Sequence, residues 1–248
     1  MRVPQLEERL NLRERPKRSN IMYQRWENLL FLHWQYDPQK IQKTLPKGLY
    51  VDTFEGKAFL GVVPFYMRNI RPRLLPAIPG ISNFLEMNLR TYVHDGNGNA
   101  GVWFYSLDAN QWLAVKLARG LFHLPYFRAQ ITAKKVKQQI HYQWQRDKNN
   151  SSFVYEIQQP LTFAEPGTLD FFLVERYILF CLRNNYLYTG HVHHTPYPIC
   201  QPKVSEWNSE FLDINGFSCH EPPCHQLMSP RVDVEVFYLQ RSKHGVQS

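Results

Sequence analysis

The stretch Phe59 to Tyr66, FLGVVPFY, carries no charge and is apolar at odd and even positions alike. Alternate side chains of a strand leave on opposite faces, so a strand of this composition must be covered on both sides. It belongs to a closed or sandwiched sheet, not to one with a wet face. GVWFYSL at 101–107 has the same character. With 44% hydrophobic and 15% aromatic residues in 248, the chain can fill such a core.

Other segments read as strands by the same logic. They are WENLLFLHWQY at 26–36, GLYVDTF at 48–54 leading to KAFLGVVPFYM through the Glu55-Gly56 turn, and Asn83 to Val93. Three more lie at about 126–136, 138–146 and 152–159; in the second, Ile140, Tyr142 and Trp144 alternate with His141, Gln143 and Gln145. Asp37 and Pro38 predict a capped short helix. The prolines of 69–81 predict a loop. Two longer helices are expected. One spans 108–122, capped by Asp108 with a stripe of Leu113, Leu117 and Leu121; the other is TLDFFLVERYILFCLR at 168–183, capped by Thr168. Fainter signals predict a segment at 187–199, a short helix near 203–212 and a last strand at 231–239. Many strands and two substantial helices imply an α+β fold, a curled, mostly antiparallel β-barrel with helices packed outside. The expected organisation is a basic N-terminal tail or short surface helix over 1–20, one domain over 21–240 and a C-terminal tail over 241–248.

The formal net charge is +8. Part of the excess sits in the first twenty residues (Arg2, Arg9, Arg13, Arg15, Lys17, Arg18) and part in one hairpin (Lys134, Lys135, Lys137, Arg146, Lys148). Runs of this kind are commonly solvated, yet they leave an alternative reading, a basic protein that binds nucleic acid or an acidic partner through tail and hairpin. No apolar run reaches the roughly 18 residues of a membrane helix, and the charged N-terminus has no signal-peptide core. Four cysteines are too sparse for a disulfide scaffold, so the expected compartment is cytoplasmic. No P-loop, G-x-G-x-x-G or G-x-S-x-G motif occurs, and no cofactor is expected.

The strand NFLEMNLRTYV carries most chemical information. Period two places Leu85, Met87, Leu89 and Val93 on one face and Phe84, Glu86, Asn88, Arg90 and Tyr92 on the other. The second face reads either as a solvent face with a spaced Glu–Arg pair or as the wall of a polar, aromatic-lined cavity in which Arg90 and Asn88 bind a ligand. Glu175 and Arg176 interrupt an apolar run and need partners elsewhere, which suggests structural anchoring. His191, His193 and His194, and the Cys219–Cys224 loop CHEPPCH, have metal-ligand chemistry, but neither spacing matches a familiar site and no metal is expected.

Three stretches together resemble the YqjF-like family of uncharacterised proteins: NFLEMNLRTYV with GVWFYSLDA, ARGLFHLPYFRAQI, and PGTLDFFLVERY with HVHHTPYPI. That family is similar in fold to acetoacetate decarboxylase, which implies a curled barrel with a pocket inside. The decarboxylase pattern A-R-E-x-x-G-[FY]-P-K-K-x-A corresponds to the run Ala118 to Ala129, ARGLFHLPYFRA. Pro125 and Ala129 fit, and Arg119 stands at its arginine. Tyr126 stands at the Schiff-base lysine and Phe127 at the lysine beside it. A phenol forms no iminium, so the resemblance implies a decarboxylase-like pocket without decarboxylase chemistry. It also implies that Glu86 is a pocket glutamate and that Tyr126 faces it. The expected function is binding of a small polar molecule, such as a carboxylate held by Arg90. Were the protein an enzyme acting on a small carboxylate or keto acid, Glu86 and Tyr126 would be its acid and base.

Overall fold

The computed structural model describes residues 2–112, 120 and 123–242. The helices are α1 (Leu6–Asn11), α2 (Pro38–Thr44), α3 (Leu169–Val174) and α4 (Glu210–Asp213). The long strands are β1 (Met22–Tyr36), then, after the two-residue β2 (Tyr50–Val51), β3 (Ala58–Pro72), β4 (Phe84–His94) and β5 (Ala100–Ala109). β6 (Tyr126–Arg128), β7 (Gln130–Val136), β8 (Gln139–Arg146), β9 (Asn149–Glu156) and β10 (Thr162–Phe163) follow. The chain continues through β11 (Ile178–Arg183), β12 (Tyr186–His193), β13 (Pro198–Ile199), β14 (Lys203–Glu206), β15 (His225–Val236) and β16 (Gln240–Arg241).

The main sheet runs β4-β3-β1-β15-β12-β11-β5, and β5 pairs with β4 again, so the hydrogen-bonded path returns to its start. Most pairs are antiparallel; β11 joins β5 in parallel. Curling is concentrated at bulges. The β1–β3 register slips around Asn28 and again around Asn69, and both asparagines have positive φ (52° and 50°). Asparagine tolerates that conformation better than most side chains.

Two cores follow from this curl. One gathers residues from all round the ring, including Phe31, Val63, Phe84, Val102, Leu179, Val192 and Leu227, and so marks its inward face. The other lies between one side of the ring (Leu30, Leu60, Met87, Met228) and the small sheet β14-β9-β8-β7 (Ile140, Trp144, Tyr155), with α2 and α4 at its margin. The double-faced apolar strand β3 serves both. α3 does not pack outside: Phe171, Phe172, Leu173 and Val174 are all buried in the inward core.

Three expected elements differ. Thr168 caps α3 by accepting from the Phe171 amide (3.3 Å), but the helix stops at Val174 instead of reaching residue 183. Leaving the helix lets Glu175 and Arg176 point apart to separate partners, and the aromatic and β-branched run from Tyr177 becomes strand β11. Asp108 is not a helix cap; it lies inside β5, buried, where its carboxylate takes Arg146 and the Trp144 indole N–H, both at 2.8 Å. Residues 113–119, 121 and 122 of the expected helix, Arg119 included, lie outside the described residues. The short helix near 203–212 is instead β14 followed by α4.

The N-terminal segment is laid on the fold rather than solvated. Arg9 grips buried Asp52 with both terminal nitrogens (2.6 and 2.8 Å), Arg13 pairs with buried Glu175 (3.3 Å), and Arg15 pairs with Glu235 (2.7 Å). Two buried carboxylates need counter-charges, and the first twenty residues supply them.

Candidate functional site

Along β4 the side chains of Glu86, Asn88, Arg90 and Tyr92 share the alternation of Phe84, an inward-core residue. They therefore face the ring interior. Glu86 is 2% exposed. The phenol of Tyr126, brought alongside by the parallel pairing of β6 with β5, donates to Glu86 Oε2 at 3.2 Å. Burial raises the Glu86 pKa to about 8; donation from Asn88 and Tyr126 offsets part of that rise, and nearby Asp108 adds to it. The Tyr126 pKa is pushed well above its usual value, by burial first and then by Glu86. At neutral pH the pair is thus a carboxylic acid beside a phenol, both neutral.

Arg90 lies further along the same face. Its Nη2 donates to the Leu173 carbonyl of α3 (3.1 Å) and to the Tyr92 hydroxyl (3.4 Å), and the guanidinium lies over the rings of Phe31 and Tyr92. Arg90 makes no ion pair among the described residues. Its Nε and the Asn88 Oδ1 are buried without a hydrogen bond, as is His194 Nε2. Leaving such groups unmatched costs about 1–3 kcal/mol each, and Asn88 and Arg90 carry that cost side by side on the inward face of β4. Burial pushes the His194 pKa down to about 4, which keeps its ring neutral against Tyr177 and Tyr197.

The other sequence candidates sort differently. Arg176 donates to Asp52 (2.8 Å) and to the Phe172 carbonyl (2.7 Å), and its guanidinium covers the Phe172 ring. Glu175 accepts from the Tyr197 amide (3.0 Å), the Tyr177 hydroxyl and Arg13. The histidines of HVHH diverge: His193 meets the Arg13 carbonyl (3.1 Å) and His194 the Thr195 carbonyl (2.7 Å). All four cysteines are free. Among the described residues no three histidine, cysteine, aspartate or glutamate side chains gather as a metal cluster. Surface cavities of about 400 Å³, beside Arg13, Phe163 and Arg231, and about 530 Å³, beside Arg18, His191 and Arg241, are not bordered by Glu86, Arg90 or Tyr126.

Sequence reading missed one inward group. His33 on β1 is fully buried, its Nε2 lies 2.7 Å from the Tyr92 hydroxyl, and its Nδ1 lies 3.0 Å from His225 Nδ1. The available signal was a lone histidine among the apolar residues of WENLLFLHWQY. His225 is the second histidine of CHEPPCH, weighed there only as a zinc ligand.

The sequence matches the model of DUF2071, an uncharacterised conserved protein family, over residues 23–233. The chain belongs to this family. Another protein, YqjF of Bacillus subtilis (strain 168), is 40% identical over 204 residues, which cover 81% of this chain and 84% of YqjF. The DUF2071 chain also superposes on acetoacetate decarboxylase from Legionella pneumophila with a TM-score of 0.64 at 11% identity, covering 92% of this chain and 91% of that one. MppR, an enduracididine biosynthesis enzyme solved in complex with pyruvate, gives 0.62 at 11% identity, covering 92% and 93%. At such low identity the likeness establishes the fold, which is acetoacetate decarboxylase-like. No helix among the described residues is long and apolar enough to cross a membrane.

Proposed function

We propose that this protein binds a small carboxylate or keto acid on the inward face of β4, with Arg90 holding the carboxylate and the Glu86–Tyr126 pair acting as acid and base. The observation that carries this reading is the pairing of an inward guanidinium that has no ion pair among the described residues with a carboxyl group held protonated near neutral pH. A carboxylate meets a guanidinium through two parallel hydrogen bonds, and Asn88 Oδ1 can accept from a hydroxyl or an enol. A carboxylic acid whose pKa lies near the working pH can both give and take a proton. The pyruvate bound by MppR lends weight to the ligand class.

This reading uses no Schiff base. Tyr126 and Phe127 occupy the positions that match the decarboxylase lysines, and every lysine among the described residues is exposed, Lys134 and Lys135 included. A Schiff-base lysine needs a desolvated site or a neighbouring cation that favours the neutral amine. The alternative of a nucleic-acid binder is weakened where the structure uses the basic N-terminus: Arg9, Arg13 and Arg15 are all engaged by carboxylates of the fold.

Titration with pyruvate, followed by NMR, tests the reading. Binding that Arg90→Met weakens at least tenfold, with no covalent product after borohydride, is the expected outcome. Unchanged binding in Arg90→Met, or a borohydride-trapped lysine, contradicts it.

A further inference from the structure

A chain of hydrogen bonds links the interior to the surface on the side of Arg90 away from Glu86. Oδ1 of half-exposed Asp170, on α3, lies 2.8 Å from His225 Nε2; His225 Nδ1 lies 3.0 Å from His33 Nδ1; His33 Nε2 lies 2.7 Å from the Tyr92 hydroxyl. The Tyr92 hydroxyl in turn accepts from Arg90 Nη2 at 3.4 Å. The backbone makes room for it: a Cβ at Gly61 would stand 3.1 Å from the Tyr92 hydroxyl and 3.2 Å from the His33 ring. Among the described residues the titratable and charged groups around the two rings are Arg90 and Tyr92 on β4, Asp170 on α3, the Cys224 thiol, which donates to the His33 carbonyl at 3.4 Å, and, over the Tyr92 ring, Arg176.

The proton count fixes the polarity. Two nitrogens in contact share one proton. With Asp170 ionised, His225 carries its proton on Nε2 and accepts at Nδ1. His33 then donates from Nδ1 and accepts the Tyr92 O–H at Nε2. This count leaves His33 with one proton, in agreement with burial, His225 and Arg90 all pushing its pKa well below the usual value. Every donor in the chain points outward.

We propose that Asp170, His225, His33 and Tyr92 form a proton relay between the surface and the Arg90 end of the interior. In one passage the Tyr92 O–H breaks as His33 Nε2–H forms, His33 Nδ1–H passes to His225 Nδ1, and His225 Nε2–H passes to Asp170 and then to water. Tyr92 is left as a phenolate beside Arg90, both rings remain neutral in their other tautomers, and the reverse passage restores the phenol. The phenolate is a base aimed at whatever Arg90 holds. That use rests on the proposed function; the relay itself does not.

The test needs no ligand. Ring ¹⁵N spectra of the uniformly labelled protein report the tautomer of each histidine. At pH 8 the expected forms are Nδ1–H for His33 and Nε2–H for His225. In any form in which His225 carries two protons, that ring owns the proton of the Nδ1 contact. His33 must then become an acceptor at Nδ1 and move its own proton to Nε2, neutral throughout. In His225→Gln the tautomer of His33 no longer switches with pH. A His33 that keeps one tautomer while His225 protonates, or that itself becomes doubly protonated, overturns the relay. Wild-type spectra decide the matter even if the variant does not fold, and failure of pyruvate to bind would remove the ligand reading without touching this result.

Discussion

Two clusters of buried charge meet at Tyr92 and differ in whether the cation reaches a carboxylate. Arg176 lies over its ring at 5.1 Å from the centroid, with Asp52 and Arg9 beyond; Arg90 lies over it at 5.5 Å, with Asn88 and Glu86 further along the strand. In the first cluster both guanidiniums reach a carboxylate, the shared Asp52, although Arg176 Nη2 is buried without a hydrogen bond. Burial works against ionised Asp52, yet Arg176 and Arg9 hold its carboxyl below the usual range, and the Arg176 pKa falls only to about 10. In the second, the acid is kept protonated and the guanidinium has neither a carboxylate nor a full set of hydrogen bonds among the described residues. A matched cluster holds segments together; an unmatched one is ready to hold something else.

Removing a partner should separate the clusters most sharply. Asp52→Ala leaves Arg176 buried without its counter-ion and is expected to destabilise the fold by about 3–5 kcal/mol in denaturant titrations. A loss under 1 kcal/mol would mean that the cluster is not structural. Glu86→Gln should behave in the opposite sense. The Glu86 pKa is raised in the folded protein, so the unfolded chain gives up this proton first as pH rises. Stability of the wild type is therefore full below the ordinary glutamate range and falls by a few kcal/mol as pH climbs towards 8. The glutamine variant should match the wild type at pH 5 and exceed it at pH 9. Gly61→Ala, which crowds His33 and Tyr92, should cost about 1–3 kcal/mol by the same titration. Arg13→Ala should cost least, about 1 kcal/mol, because Glu175 keeps its bonds from Tyr177 and Tyr197. If Arg13→Ala were as damaging as Asp52→Ala, the second anchor of the N-terminal segment would rank with the first.

The strands were legible because their signal is local. The alternation in NFLEMNLRTYV was enough to place Glu86, Asn88, Arg90 and Tyr92 on one face, and the apolar run in β3 was enough to demand cover on both. Whether the polar face met water or an interior was not legible, since ring closure depends on β5 returning to β4 and on bulges at Asn28 and Asn69. The helix through 168–183 failed for a related reason. TLDFFLV has helical spacing and a cap, but the continuation is decided by distant partners, Asp52 for Arg176 and the Tyr197 amide for Glu175. The basic N-terminus read as solvated because buried Asp52 and Glu175 cannot be recognised as buried from their neighbours in sequence. His33, His225 and Asp170 come from three separate elements, and no spacing connects them.

The unmatched character of the inward face of β4 can be measured at one atom. Selective ¹³C labelling of glutamate side chains and titration of the Glu86 carboxyl carbon, assigned by its loss in Glu86→Gln, gives the midpoint directly. A midpoint near pH 8 is expected, because burial outweighs the two hydrogen bonds the carboxyl receives. A midpoint in the ordinary carboxylate range would mean that Glu86 is solvated or matched by a cation, and that this face is not the poised interior described here.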